Sequence, residues 1–200
     1  MMDFSIYASL LIFSLVMSIT PGPNNLLLAT SGLAYGFRRT LPALFGTLAG
    51  LAVLFVISGA GVGAIVLANP HAQVLLRAFG AGYLAYLALR LWRVSTIPDA
   101  QRRSPLRIWH AAAFQFINPK AWMMTVTAVS LYVAAAPDYW VTLAVVSATF
   151  LIVSVPSIAI WAAFGAAMKS ALREPSRVKL FNRVMAVLTI LSAGLVFLWS

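Results

Sequence analysis

Cysteine is absent from the 200 residues, which excludes disulfides, thiolate metal sites and thiol redox chemistry. Acid is scarce as well. The four carboxylates, Asp3, Asp99, Asp138 and Glu174, sit at the ends of long apolar runs or between them. With no acid inside a run and no paired histidines, the ligands for a divalent cation are missing, and a proton relay has no evident members. Hydrolysis would need a nucleophile with a base in reach, yet the histidines are His71 and His110, both near run ends. No cofactor is called for, no metal, and no enzymatic role.

What is abundant is hydrocarbon. Hydrophobic residues make up 62% of the chain and charged ones 9%, and the mean hydropathy is +0.93, well outside the soluble range. The chain reads as an integral membrane protein whose partner is the lipid bilayer. Its net charge of +10 is then a topology signal for membrane loops, not a nucleic-acid footprint. The opening "MMDFSIY" has an acid and no base ahead of its apolar run. It therefore lacks the basic n-region of a cleaved signal peptide and reads as the start of the first span.

Six apolar runs, near residues 4–36, 41–68, 73–92, 107–136, 140–168 and 180–199, are long enough to cross about 30 Å of hydrocarbon. Arg38 and Arg39 lie in the first connection. Arg90, Arg93, Arg102, Arg103 and Arg107 lie in or beside the third, and Lys169, Arg173, Arg177, Lys179 and Arg183 in or beside the fifth. Of the 14 basic residues only Arg77 and Lys120 fall elsewhere. The odd-numbered connections are thus expected on the cytoplasmic side and both termini outside. Arg77 is near enough to a span end to snorkel.

The segment "VSTIPDAQRRSP" divides the chain near its middle. The expected fold is an all-α polytopic membrane domain over residues 1–200. Residues 1–93 and 107–200 form two three-helix repeats joined by a cytoplasmic linker at 94–106. An odd number of spans in each half inverts one repeat relative to the other. Each half opens with a run of about 30 residues, too long for one straight crossing, and each run is interrupted near its midpoint, by "TPGPNN" and by "FINPKAW". Paired interruptions at corresponding positions of inverted halves point to a transporter's central site.

The chemistry follows from what proline cannot do. Pro21, Pro23 and Pro119 donate no hydrogen bond, which releases the carbonyls of Met17, Ile19 and Gln115 four residues earlier. Thr20, Gly22 and Asn118 precede prolines and are biased away from helix. After each interruption a half-helix begins, around Asn24 and Lys120, with free N–H groups and a dipole that favours an anion. A zwitterionic amino acid suits this arrangement, its carboxylate on the half-helix N-termini and its ammonium on released carbonyls and asparagine oxygens. Lys120, the one basic residue at bilayer depth, is expected to face the cavity and pair with the carboxylate. The bland alternative has it capping carbonyls across the bundle. The candidate substrate-binding residues are Thr20, Pro21, Gly22, Pro23, Asn24 and Asn25 at the first interruption, and Gln115, Asn118, Pro119 and Lys120 at the second. The lack of a buried acid favours a neutral amino acid over a cationic one. His110 could titrate, but a lone interfacial histidine is ordinarily just solvated.

"TPGPNNLLLATSGLAYGFRRTLPALFGTLAG" and "FQFINPKAWMMTVTA" resemble the two signatures of the LysE/RhtB amino-acid exporters, over essentially the whole chain. The "TPGPNN" and "QFINPK" forms are similar to the branch containing the cysteine/O-acetylserine exporter. The resemblance implies a bacterial inner-membrane carrier that expels small neutral amino acids or derivatives, such as cysteine, O-acetylserine, homoserine or threonine, by exchange with protons. By that likeness Pro21, Gly22, Pro23, Asn24, Asn118, Pro119 and Lys120 are motif residues. Metal-cation efflux, known in relatives of the fold, and a non-transporting assembly subunit are the competing functions.

Two further patterns concern packing. Gly46 and Gly50 in "GTLAG" have the small-xxx-small spacing that lets helices approach closely, within one bundle or in a homodimer; Gly59, Gly61 and Gly63 form a looser cluster. Four of the six tryptophans, Trp92, Trp109, Trp140 and Trp199, fall at expected span ends, as in an interfacial belt.

Overall fold

A computed structural model describes residues 3–61, 68–93, 105–171 and 174–198. The described chain is helical: α1 (Phe4–Ile19), α2 (Pro23–Tyr35), α3 (Phe37–Gly59), α4 (Pro70–Arg93), α5 (Ile108–Ile117), α6 (Pro119–Tyr132), α7 (Tyr139–Ala171) and α8 (Pro175–Leu198). Four of these helices, α2, α4, α6 and α8, begin on a proline. That is the position where a missing N–H costs nothing, because the first turn has no intrahelical acceptor to offer it. Most of the expected linker, residues 94–104, lies outside the described residues, as do Gly63 and Trp199, and the side chain of Arg77 is not described.

Burial is inverted relative to a soluble domain. Large apolar side chains such as Ile152, Val141, Leu131 and Ile12 are exposed, while Ser14, Asn25, Gln115, Asn118, Thr125, Ser154 and Asn182 are buried. Hydrocarbon solvates the first group and cannot satisfy the second, so the polar side chains turn inward, where most bond to backbone groups or to one another and Ser14 Oγ stays without a partner. Ser18 and Ser154 join α1 to α7 at 2.8 Å, and Ser58 and Thr125 join α3 to α6 at 3.0 Å. The protein is a multi-pass helical membrane protein. Among the described residues, helices α3 and Tyr139–Lys169 are each long and apolar enough to cross, and α1 with α2, bent by 51° at their break, pass the same test only when taken together as one broken span.

Helix α2 packs on α7, α3 on α5, and α4 on α8, with α7 also crossing α1 and α3, and α3 crossing α6. The closest approaches use small residues. A Cβ on Gly32 would strike the Ala162 carbonyl, and one on Gly165 would strike the Ala29 carbonyl. Gly46 and Gly50 sit against Ile108 and Ala112 of α5, so the "GTLAG" face is spent inside the bundle. Between α4 and α8 the Arg183 guanidinium lies 5.0 Å from the Trp92 ring.

Among the boundaries that differ from the sequence reading, two fall at glycines. The first connection, expected to hold Arg38 and Arg39, shrinks to Gly36, whose φ of 84° turns the chain within one residue; only glycine takes that conformation freely. Both arginines therefore stand in the first turn of α3. The second span, expected to reach residue 68, leaves helical geometry after Gly59 and turns at Gly61, with φ of 94°.

Candidate functional site

The two interruptions face each other. The first occupies Thr20–Gly22, between α1 and α2; the second is the single residue Asn118, between α5 and α6. Their half-helices start at Pro23 and Pro119, one residue earlier than expected, because proline fills the first helical position. Lys120, at the start of α6, reaches across to the first interruption. Its Nζ donates to Thr20 Oγ1 at 2.7 Å and to the Thr20 carbonyl at 2.9 Å, and lies 3.4 Å from the Pro21 carbonyl. Three acceptors around one nitrogen match the three donors of an ammonium group.

Beside this contact the halves are joined again. Asn24 Nδ2 donates to Gln115 Oε1 at 2.7 Å, and Gln115 Nε2 returns a bond to Asn24 Oδ1 at 2.9 Å. Gln115 is fully buried, and a paired amide satisfies it where water cannot reach. Asn25 turns inward and donates to the carbonyls of Ser18 and Thr20, both at 2.8 Å. Asn118 Oδ1 accepts the Lys120 backbone N–H at 3.1 Å and so caps α6. No side chain caps α2. A cavity of about 20 Å³ remains, lined by Gly22, Pro23, Asn24, Asn25, Asn118 and Lys120 together with Met124, and flanked by Ser18, Thr47 and Ser154 from three further helices.

Of the expected residues, Gly22, Pro23, Asn24, Asn25, Asn118 and Lys120 line this one small space; Thr20 and Gln115 bond to that lining from outside it, as does the carbonyl of the exposed Pro21, and Pro119 is buried. The expectation that Lys120 awaits a carboxylate meets a different arrangement, because its ammonium is held by Thr20 and Pro21. Among the described residues the carboxylates Asp3, Asp138 and Glu174 are all exposed, and no group of three or more His, Cys, Asp or Glu is assembled.

The released carbonyls also have partners. Trp161 Nε1 donates to the Ile19 carbonyl at 3.0 Å, and Trp122 Nε1 to the Phe116 carbonyl at 2.9 Å. Thr20 Oγ1 lies 3.4 Å from the Met17 carbonyl, and the Asn118 N–H bonds the Gln115 carbonyl at 3.2 Å. Trp122 and Trp161 are the two tryptophans left over from the expected interfacial belt. Their placement in mid-span, where an indole N–H needs an acceptor, was the available signal for this role.

Broken helices meeting inside an apolar bundle, with backbone carbonyls and a lysine turned toward one another, mark the interior of a helical membrane translocator. The chain belongs to the LysE type translocator family, whose model matches residues 15–200. It is 29% identical to a cysteine/O-acetylserine efflux protein of an Escherichia coli ETEC strain, and 28% identical to the proteins of that description from Escherichia coli strain K12 and Shigella sonnei. Each of these alignments covers 92% of this chain and 94% of the relative. No solved structure matches it.

Proposed function

We propose that the protein exports small neutral amino acids or their derivatives from the cytoplasm by alternating access around the space between residues 20–25 and 118–120. The observation that carries this reading is the bonding of Lys120 to Thr20 and Pro21, about a hundred residues away. It brings both interruptions to one point inside the bundle. Support for a six-span inverted repeat comes from the helix pairings. Exchanging α1, α2, α3 and α4 for α5, α6, α7 and α8 turns α2–α7 into α6–α3 and α1–α7 into α5–α3, and leaves α4–α8 and α3–α7 unchanged; all of these pairings occur. The basic residues then mark the linker side as cytoplasmic and both termini as periplasmic in a bacterial inner membrane.

In this reading the substrate carboxylate meets the uncapped N-terminus of α2, where free N–H groups and the helix dipole favour an anion, and Lys120. Its ammonium meets the carbonyls of Thr20 and Pro21. The names of the relatives make cysteine and O-acetylserine the first substrates to try. The proton is the counter-ion that the family likeness suggests.

Cells overproducing the protein and loaded with a cysteine-containing dipeptide should release cysteine faster than control cells. Lys120→Ala and Pro21→Ala should each bring release back to the control rate. Unaltered release on overproduction, for every small amino acid tried, would overturn the proposal. Counterflow in proteoliposomes, with and without a pH gradient, tests the exchange with protons.

A further inference from the structure

An ammonium group is already bound at the first interruption, and it belongs to the protein. The Lys120 Nζ has three oxygens around it, two of them backbone carbonyls that no helix can reclaim, and the third the Thr20 hydroxyl. The side chain lies along Gly22 so closely that a Cβ there would stand 2.9 Å from Lys120 Cδ and 3.1 Å from Nζ. The space left beside it is about 20 Å³, room for roughly one water and far too little for an amino acid. The polar centre is thus filled by Lys120.

We infer that Lys120 and the amino group of the substrate exchange on one ammonium site, Thr20 Oγ1 with the carbonyls of Thr20 and Pro21, and that the displaced lysine then pairs with the substrate carboxylate. The inference rests on the reading of the protein as an amino-acid carrier. Its physical basis is that neither ammonium can be left alone inside the bundle. A buried cation without acceptors costs several kcal/mol, and among the described residues every carboxylate is exposed at a helix end or in a connection. Since none of those described carboxylates is placed to receive Lys120, the anion that can is the one the substrate brings.

Selectivity for zwitterions follows. A simple amine would evict Lys120 and offer it nothing in return. A simple acid would find Lys120 already satisfied. The empty carrier keeps its carbonyls bonded, so both the loaded and the empty forms can traverse the conformational cycle without exposing unsatisfied groups to hydrocarbon.

The test uses purified full-length protein in detergent, with cysteine kept reduced and cysteamine, the same molecule without the carboxylate, as calorimetric probes. Wild-type protein should bind cysteine at least tenfold more tightly than cysteamine. In Lys120→Ala that preference should shrink to a few fold, the share left to the α2 N-terminus; ethylammonium, added as a third probe, should bind at least tenfold more tightly than to wild type and should compete with cysteine. Should Lys120→Ala fail to fold, Lys120→Met fills similar space without the charge and should show the same shrunken preference. Retention of the full preference in either folded variant, or simultaneous binding of ethylammonium and cysteine, would overturn the exchange. Failure of wild-type protein to bind any small amino acid is a separate outcome and would overturn the transport reading itself.

Discussion

The two interruptions answer the same chemical problem in opposite ways. The second is one residue long, and Asn118 solves it locally: its side chain caps α6 and its backbone N–H takes the Gln115 carbonyl. The first is three residues long, turns the chain by 51°, and leaves α2 without a side-chain cap. Its carbonyls depend on donors from elsewhere, Lys120 of α6 and Trp161 of α7, together with Asn25. A Pro-Gly-Pro sequence removes two N–H groups within three residues, more than one capping side chain can replace. The second interruption is self-contained and lends a cation; the first is open and borrows one. An element held by borrowed donors is the one that changes when those donors move, so in the proposed transport cycle the first interruption is the part expected to respond to a substrate.

The largest consequence is expected at Gly22. Its φ of −175° is extended backbone that any residue adopts, so the glycine is needed for space alone. Gly22→Ala puts a methyl group against Lys120 Cδ and Nζ and should force the lysine off the Thr20 and Pro21 oxygens. Cysteine export is expected to fall at least tenfold while the protein remains folded, as judged by thermal unfolding in detergent. Export at the wild-type rate would break the comparison, since it would mean that the first interruption does not need its borrowed ammonium.

Asparagine at the two sites gives a finer contrast. Asn25 makes two hydrogen bonds, one buried and one part-buried, to the Ser18 and Thr20 carbonyls, and Asn25→Ala should cost about 1–2 kcal/mol, at the 0.6 kcal/mol or somewhat more that each such bond contributes in membranes. Asn118→Ala removes one cap and should cost about 1 kcal/mol or less. Thermal unfolding of the two variants should rank them in that order. The reverse order would place the more demanding structural role at the second interruption.

Much of this was legible in advance, for a physical reason. A proline inside an apolar run has an unavoidable consequence for the carbonyl four residues earlier, so the positions of both interruptions could be read from Pro21, Pro23 and Pro119. The partners of those carbonyls could not, because Trp161 lies 142 residues from Ile19 and no local pattern links them. Lys120 illustrates the boundary between the two. Its inward orientation follows from the cost of a charge in hydrocarbon, but whether it meets a carboxylate or a carbonyl depends on where the other half's backbone lies. The small residues divide in the same way. Gly46 and Gly50 announce a close approach, yet only the packing on Ile108 and Ala112 identifies the neighbour. The helix starts lie one residue earlier than proline's breaking effect alone implies, because proline also serves as the first residue of α2 and α6.

The tryptophan pair offers the smallest and most discriminating test. Trp161→Phe and Trp122→Phe each remove one indole N–H while keeping most of the aromatic bulk. The carbonyls they would abandon differ in setting: the Ile19 bond is partly buried and the Phe116 bond is exposed. Losing a bond in a membrane bundle costs on the order of 0.6 kcal/mol, and a carbonyl at the edge of the bundle is freer to turn to a neighbouring donor than one packed inside it. Trp161→Phe should therefore lower the unfolding temperature more than Trp122→Phe. Trp161→Phe should also reduce cysteine export by a few fold, because Ile19 immediately precedes the Thr20 that holds Lys120. Trp122→Phe should leave export near the wild-type rate. Equal effects from the two substitutions would mean that both interruptions rely on outside donors to the same degree, and the distinction between a borrowing and a self-contained break would have to be given up.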